Sequence, residues 1–218
     1  MALSLRRALA VGAAVAASGL LAFGFLRSRS RRAQVRRISV ALDDRGREAL
    51  QRRLDTLGAS ADVSSPEGRA DAARAARDVL LAALGDAKRA LSVSEDLALD
   101  EAPPRFDHLA TELRRRYDYE TRRNAETAPA PSFGPRGDDP GFVVVTLLVG
   151  LDDATDALDA STDRASLKSA LEALVPRSKG LAALEVIWSP STPDDRLSAS
   201  EVSSLYPELA SLVDVDVP

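Results

Sequence analysis

The sequence predicts an α+β fold, with an N-terminal transmembrane helix followed by one soluble domain of about four strands covered by helices. Three observations carry that prediction. An uncharged run, Ala8 to Leu26, lies near the start of the chain. Short apolar stretches with strand character, the strongest being Phe142 to Val149 (FVVVTLLV), alternate with longer stretches of helical periodicity. Helix-start signals such as Ser198-x-x-Glu201 stand between them.

The first run is 19 residues without a charge. As a helix it reaches about 28 Å, close to the hydrocarbon thickness of about 30 Å. Residues 1–37 therefore read as a membrane anchor with a basic juxtamembrane segment, holding eight arginines and no acid. Arg6 and Arg7 precede the run; Arg27, Arg29, Arg31, Arg32, Arg36 and Arg37 follow it. That bias predicts a single-pass inner-membrane protein whose body stays in the cytoplasm. The six following arginines are candidates to meet anionic lipid headgroups, at about 1 kcal/mol per cation. A secretory signal competes, with Ala14-x-Ala16 as its cleavage site and a periplasmic or secreted body as its consequence. A buried helix is the third reading of the same run.

Residues 38–124 read as the helical first half of the domain. Ile38, Val40 and Leu42 alternate with small residues, as in a short strand. Leu50, Leu54 and Leu57 share a helical face, with Asp43 or Asp44 before it and Gly58 as its stop. Ser64-Ser65-Pro66-Glu67 predicts the next helix start, with Ser64 and Glu67 as a capping box and Gly85 as the stop. Its stripe of Ala73, Ala76, Val79, Leu80 and Ala83 is mostly small, so the neighbouring element should approach closely. Leu91 and Val93 alternate with serines in an edge strand. Pro103-Pro104 breaks the chain before a charged helix over about 105–124, with Phe106, Leu109, Leu113 and Tyr117 on one face.

Residues 125–140, with four prolines, read as a flexible linker. Residues 141–212 read as strand, helix, strand, helix. Phe142–Val149 is apolar on both faces apart from Thr146, as a central strand is. Thr162 or Asp163 caps a helix through Leu167, Ala170 and Leu171. In the strand that follows, Leu184, Val186 and Trp188 share one face and Ala183, Glu185 and Ile187 the other. Ser198 and Glu201 open the last helix.

Composition excludes several function classes. There is no cysteine, which removes disulfides, thiolate metal sites and a cysteine nucleophile. The lone histidine, His108, leaves no multi-histidine metal site. The overall charge of −4 hides an asymmetry, because residues 38–218 hold 21 cations against 33 anions. So acidic a body, with 4% aromatic residues, predicts no nucleic-acid partner. No glycine-rich phosphate loop opens a helix, and no cofactor is expected. Asp152, Asp153, Asp156, Asp159 and Asp163 lack calcium-loop spacing and read as a solvated loop.

Two constellations remain. Glu185, inside an apolar strand, is either paired with an arginine or exposed at an edge; its functional reading is a carboxylate with a raised pKa in a cleft with Tyr117 or Tyr119. Trp188, Pro190, Tyr206 and Pro207 make an apolar aromatic group that either seals the last helix to the sheet or, if exposed, binds a protein.

The blocks ISVAL (38–42), SSPEG (64–68), RRRYDYETRRN (114–124), FVVVTLLV (142–149), LAALEVIWSPSTPDDRLSASEV (181–202) and YPEL (206–209) resemble the uncharacterised membrane protein family filed as domain of unknown function 1517. The resemblance implies the same strand and helix order behind a membrane anchor, with members in cyanobacteria, plant chloroplasts and other bacteria. It implies no established activity. Ser189-Pro190-Ser191 stands where the family usually has Thr-Pro-Gln, and the Asp-rich stretch 152–163 replaces a shorter turn. The predicted function is a protein-interaction or scaffolding module at the membrane surface with unidentified protein partners; the alternative is a ligand-binding or enzymatic cleft around Glu185.

Overall fold

The computed structural model describes residues 32–126, 141–176, 181–190 and 196–213. Five antiparallel strands form one sheet in the order β4-β3-β1-β2-β5. They are β1 (Arg32–Asp43), β2 (Ala87–Ala98), β3 (Phe142–Leu151), β4 (Ala183–Ser189) and the two-residue β5 (Ala210–Ser211). The helices are α1 (Arg47–Ser60), α2 (Pro66–Ala82), α3 (Ala102–Glu126), α4 (Arg164–Ala173) and α5 (Ala199–Leu205).

Strand alternation sorts the sheet into two faces. Ile38, Val40, Val145, Leu147, Val149 and Val186 point to the face covered by α1, α2 and α4, where Leu54, Ala73, Ala76, Leu80, Leu167 and Leu171 meet them. Small residues on α2 let that helix lie close to the sheet. Ala33, Val35 and Leu148 point the other way, under Phe106, Leu109 and Leu113 of α3. Further along the same face, Ala41 and Val144 lie under Val202 and Tyr206. β3 is buried along its whole length, as a strand covered on both faces must be.

Several boundaries differ from the sequence reading. β1 starts at Arg32, inside the stretch read as juxtamembrane, because Ala33 and Val35 supply an inward-facing pair that extends the ladder against β2. Ser65, not Ser64, caps α2 and accepts from the Gly68 amide. Gly68 is required there: a Cβ on it would fall 2.4 Å from the Asp62 carbonyl oxygen. Pro103 and Pro104 lie inside the first turn of α3, where a missing amide costs no helical bond. α1 continues through Gly58 to Ser60, and Gly85 belongs to a 3-10 turn after α2. The capping boxes at Asp163–Ser166 and Ser198–Glu201 both form.

The run 8–26 and most of the linker, 127–140, lie outside the described residues. Among those described, no helix is long and apolar enough to cross a membrane.

One side chain ties the sheet to the segment after β3. Arg36 is 2% exposed and lies on the main-core face. Its Nε donates to Gln34 Oε1 (2.6 Å), one terminal nitrogen to the Ala173 carbonyl (2.5 Å), and the other to the Asp156 carbonyl (2.5 Å) and the Thr155 hydroxyl. Ala173 is at the end of α4, so the cation meets the negative pole of a helix. Gln34 passes the chain of bonds on to Asp96 at 2.8 Å. Replacing Arg36 with alanine strands these acceptors in the interior, each at about 1–3 kcal/mol. The expected result of Arg36→Ala is a loss of about 3 kcal/mol or more in urea denaturation, with early hydrogen exchange at residues 154–161.

Candidate functional site

The face of the sheet under α3 and α5 carries the charged groups. β1 contributes Arg37 and Ser39, β3 Thr146, and β4 Glu185, each set on this face by strand alternation. α3 brings Glu112, Arg114 and Arg116 above them. The turn after α5 brings Tyr206 and Glu208, once Ser198 and Glu201 have fixed where α5 begins.

Two ion-pair systems result. In the first, Arg114 grips Glu185 with two bonds, Nε to Oε1 at 2.8 Å and a terminal nitrogen to Oε2 at 2.6 Å. Burial pushes the Glu185 carboxyl above the usual carboxylate range, and Arg114 opposes that push. In the second, Arg116 donates to Glu208 at 2.5 Å and to Glu112 at 2.7 Å, and its guanidinium lies 5.5 Å from the Tyr206 ring centroid. Arg37 reaches the same Glu208 at 3.5 Å with 12% of its side chain exposed. Its buried Nε has no hydrogen-bond partner among the described residues. Below, Ser39 and Thr146 hydrogen-bond to each other at 2.8 Å.

Glu185 is therefore the arginine-paired acid that strand logic allowed. It also sits on β4, the outermost strand at its side of the sheet. An inward-facing charge on an edge strand discourages pairing with another sheet. The Tyr117 and Tyr119 side chains lie outside the described residues.

The aromatic group does not assemble. Trp188 faces the main core and Tyr206 the opposite face, because the sheet stands between them. Trp188 is half-buried, and its indole nitrogen has no hydrogen-bond partner among the described residues. Pro190 is buried and follows a cis peptide bond; Pro207 is exposed. Tyr206 does seal α5 to the sheet.

The lipid-headgroup candidates also separate. Arg27, Arg29 and Arg31 lie outside the described residues. Arg32 is exposed and 3.9 Å from Asp96. Arg36 is interior, and Arg37 is engaged by Glu208. His108 is exposed on α3. Asp163 caps α4, and among the described residues no group of three or more acids and histidines converges on a metal position.

A further feature lies on the outside of the helical layer. α1 and α2 leave an open groove of about 570 Å³. Arg52 and Arg53 are the charged residues lining it, beside Leu57 and Val79. Sequence reasoning passed over this pair, since exposed helical arginines are ordinary; only the loss of acidic partners, a three-dimensional fact, distinguishes them.

A family profile described as "Protein of unknown function (DUF1517)" matches residues 32–212. Fluctuating-light-acclimation protein 1, chloroplastic, of Arabidopsis thaliana is 30% identical over 216 residues, covering 90% of this chain and 53% of that protein. Protein FLAP1 homolog A of Synechocystis sp. is 29% identical over 173 residues, covering 73% of this chain and 51% of its own. The chain thus spans about half the length of these curated relatives. No solved structure matches.

Two outcomes follow from the pairs. Arg114→Met leaves Glu185 buried without its partner and should cost about 2 kcal/mol, discounted because Arg114 is 39% exposed. Adding Glu185→Leu should recover most of that stability while promoting self-association through β4, read by sedimentation velocity. For the second system, the Arg116 hydrogen bond holds the Glu112 carboxyl below its usual range. The folded chain then binds that proton less tightly than the unfolded chain. Its stabilisation is present above the ordinary glutamate range and is lost as pH falls through the depressed value. Arg116→Met should lower stability at pH 7 by about 1 kcal/mol and flatten the loss between about pH 5 and 3, measured by urea midpoints.

Proposed function

The chain belongs to the DUF1517 family of proteins of unknown function, and on that premise we propose that it is an interaction module that docks protein partners at a membrane surface. The observation that carries this reading is the outward-facing groove with its two arginines, which the fold itself leaves unused. The alternative, a catalytic or ligand-binding cleft, needs a free Glu185, and Arg114 holds both of its oxygens.

The tether in this proposal is the run 8–26, with the arginines at 27–31 marking the side that keeps the body. The compartment is of the kind the relatives' names and sources indicate, a cyanobacterial cell or a plastid. The chloroplastic relative is named for acclimation to fluctuating light. Acclimation to changing light is a task to which binding alone can contribute, and we extend that task to this chain.

The test is proximity labelling from the C-terminus in the native host, under steady and alternating light, with carbonate extraction of the membranes. The expected result is a small reproducible set of neighbours enriched over an untethered reference, with the protein retained in the carbonate pellet. A label pattern equal to the reference would remove the interaction reading. Release by carbonate would remove the tether.

A further inference from the structure

α1 presents two faces. Leu50 and Leu54 are buried against the core, whereas Ala49, Arg52, Arg53 and Leu57 form a continuous outer face at helical spacing. Across the groove, α2 adds Ala75 and Val79. Thr56 and Ser60 also line the groove, Leu57 and Val79 are half-buried in its floor, and the alanines are short, so a third helix has room to approach closely. Arg52 and Arg53 are exposed, and neither guanidinium has an ion pair or hydrogen bond among the described residues. Every charge lining the groove is positive, on a body whose residues 38–218 are strongly acidic overall.

We propose that this groove docks an acidic amphipathic helix of a partner protein. Carboxylates of the partner meet Arg52 and Arg53, and its apolar stripe lies on Leu57 and Val79. This rests on the interaction-module reading above and names the chemistry of its partner. One observation selects a helix over a lipid surface. Among the described residues the one large apolar side chain that stands exposed is Val213, and it does not line the groove, so no apolar wedge there projects toward an acyl boundary.

The probe is a fluorescein-labelled peptide of about 18 residues, with glutamates on one helical face and leucines on the other. A lysine-for-glutamate peptide is the reference. Binding to the full chain in nonionic detergent is followed by anisotropy. The glutamate peptide should bind and the lysine peptide should not. Arg52→Glu with Arg53→Glu should weaken binding at least about tenfold, with the thermal melt unchanged because both guanidinium groups face solvent. Equal affinity for both peptides, or no effect of the double substitution, would overturn the proposal. So would a double variant that loses flotation with phosphatidylglycerol vesicles while keeping its peptide affinity, since the groove would then meet lipid. Proximity labelling separates the two claims. Neighbours lost in the double variant support the groove, and neighbours retained in it reject the groove while leaving the interaction module standing. A wild-type chain without neighbours rejects the module itself.

Discussion

A guanidinium inside a protein must find acceptors for five N–H groups or destabilise the fold. Arg36 meets that demand almost entirely with neutral oxygens: a glutamine amide, a threonine hydroxyl, and the carbonyls of Asp156 and Ala173. The acceptors come from three places in the chain, so the single cation fixes the end of α4 and the segment after β3 against the start of β1. Burial lowers the Arg36 pKa, and Asp156 and Asp96 raise it again. Arg69 follows the same pattern on a smaller scale, donating to the carbonyls of Leu181, Val63 and Ser64 and so joining the start of α2 to the approach to β4. Carbonyl acceptors avoid the desolvation of a second ion that a buried carboxylate would add.

The opposite face uses a different solution. Its arginines stay near the rim and pair with acids: Arg114 with Glu185, Arg116 with Glu112 and Glu208, and Arg105 with Glu95. These pairs hold α3 and the turn after α5 over a sheet face whose middle contains Ser39 and Thr146 instead of leucines. The contrast gives the molecule a division of labour. One face is sealed by hydrocarbon and carbonyl-bound arginine, and the other is clamped by salt bridges.

Much of the architecture was readable from local signals. FVVVTLLV is an interior strand, between β4 and β1, because only a doubly covered strand can be so apolar, and the alternation around Trp188 divided β4 between faces as the structure does. The caps at Asp163 and Ser198 were legible because their chemistry is local. The start of β1 was not. Arg36 and Arg37 stand among other arginines, and in one dimension a buried arginine looks the same as a juxtamembrane one. The aromatic group failed for a related reason: nearness in sequence says nothing about which side of a sheet two residues occupy, and Trp188 and Tyr206 lie on opposite sides. Glu185 was legible as a choice between two states, but its partner, 71 positions away in the chain, was not.

Arg36 is an engaged interior cation that organises the fold around β1. Nitrogen-detected NMR of arginine guanidinium groups at neutral pH tests this directly. The prediction is that the Arg36 guanidinium shows separate and slowly exchanging terminal N–H signals, as an arginine held by interior acceptors should, set apart from the averaged signals of Arg52 and Arg53. An Arg36 signal that is averaged and exchanges with water as fast as those two would contradict it.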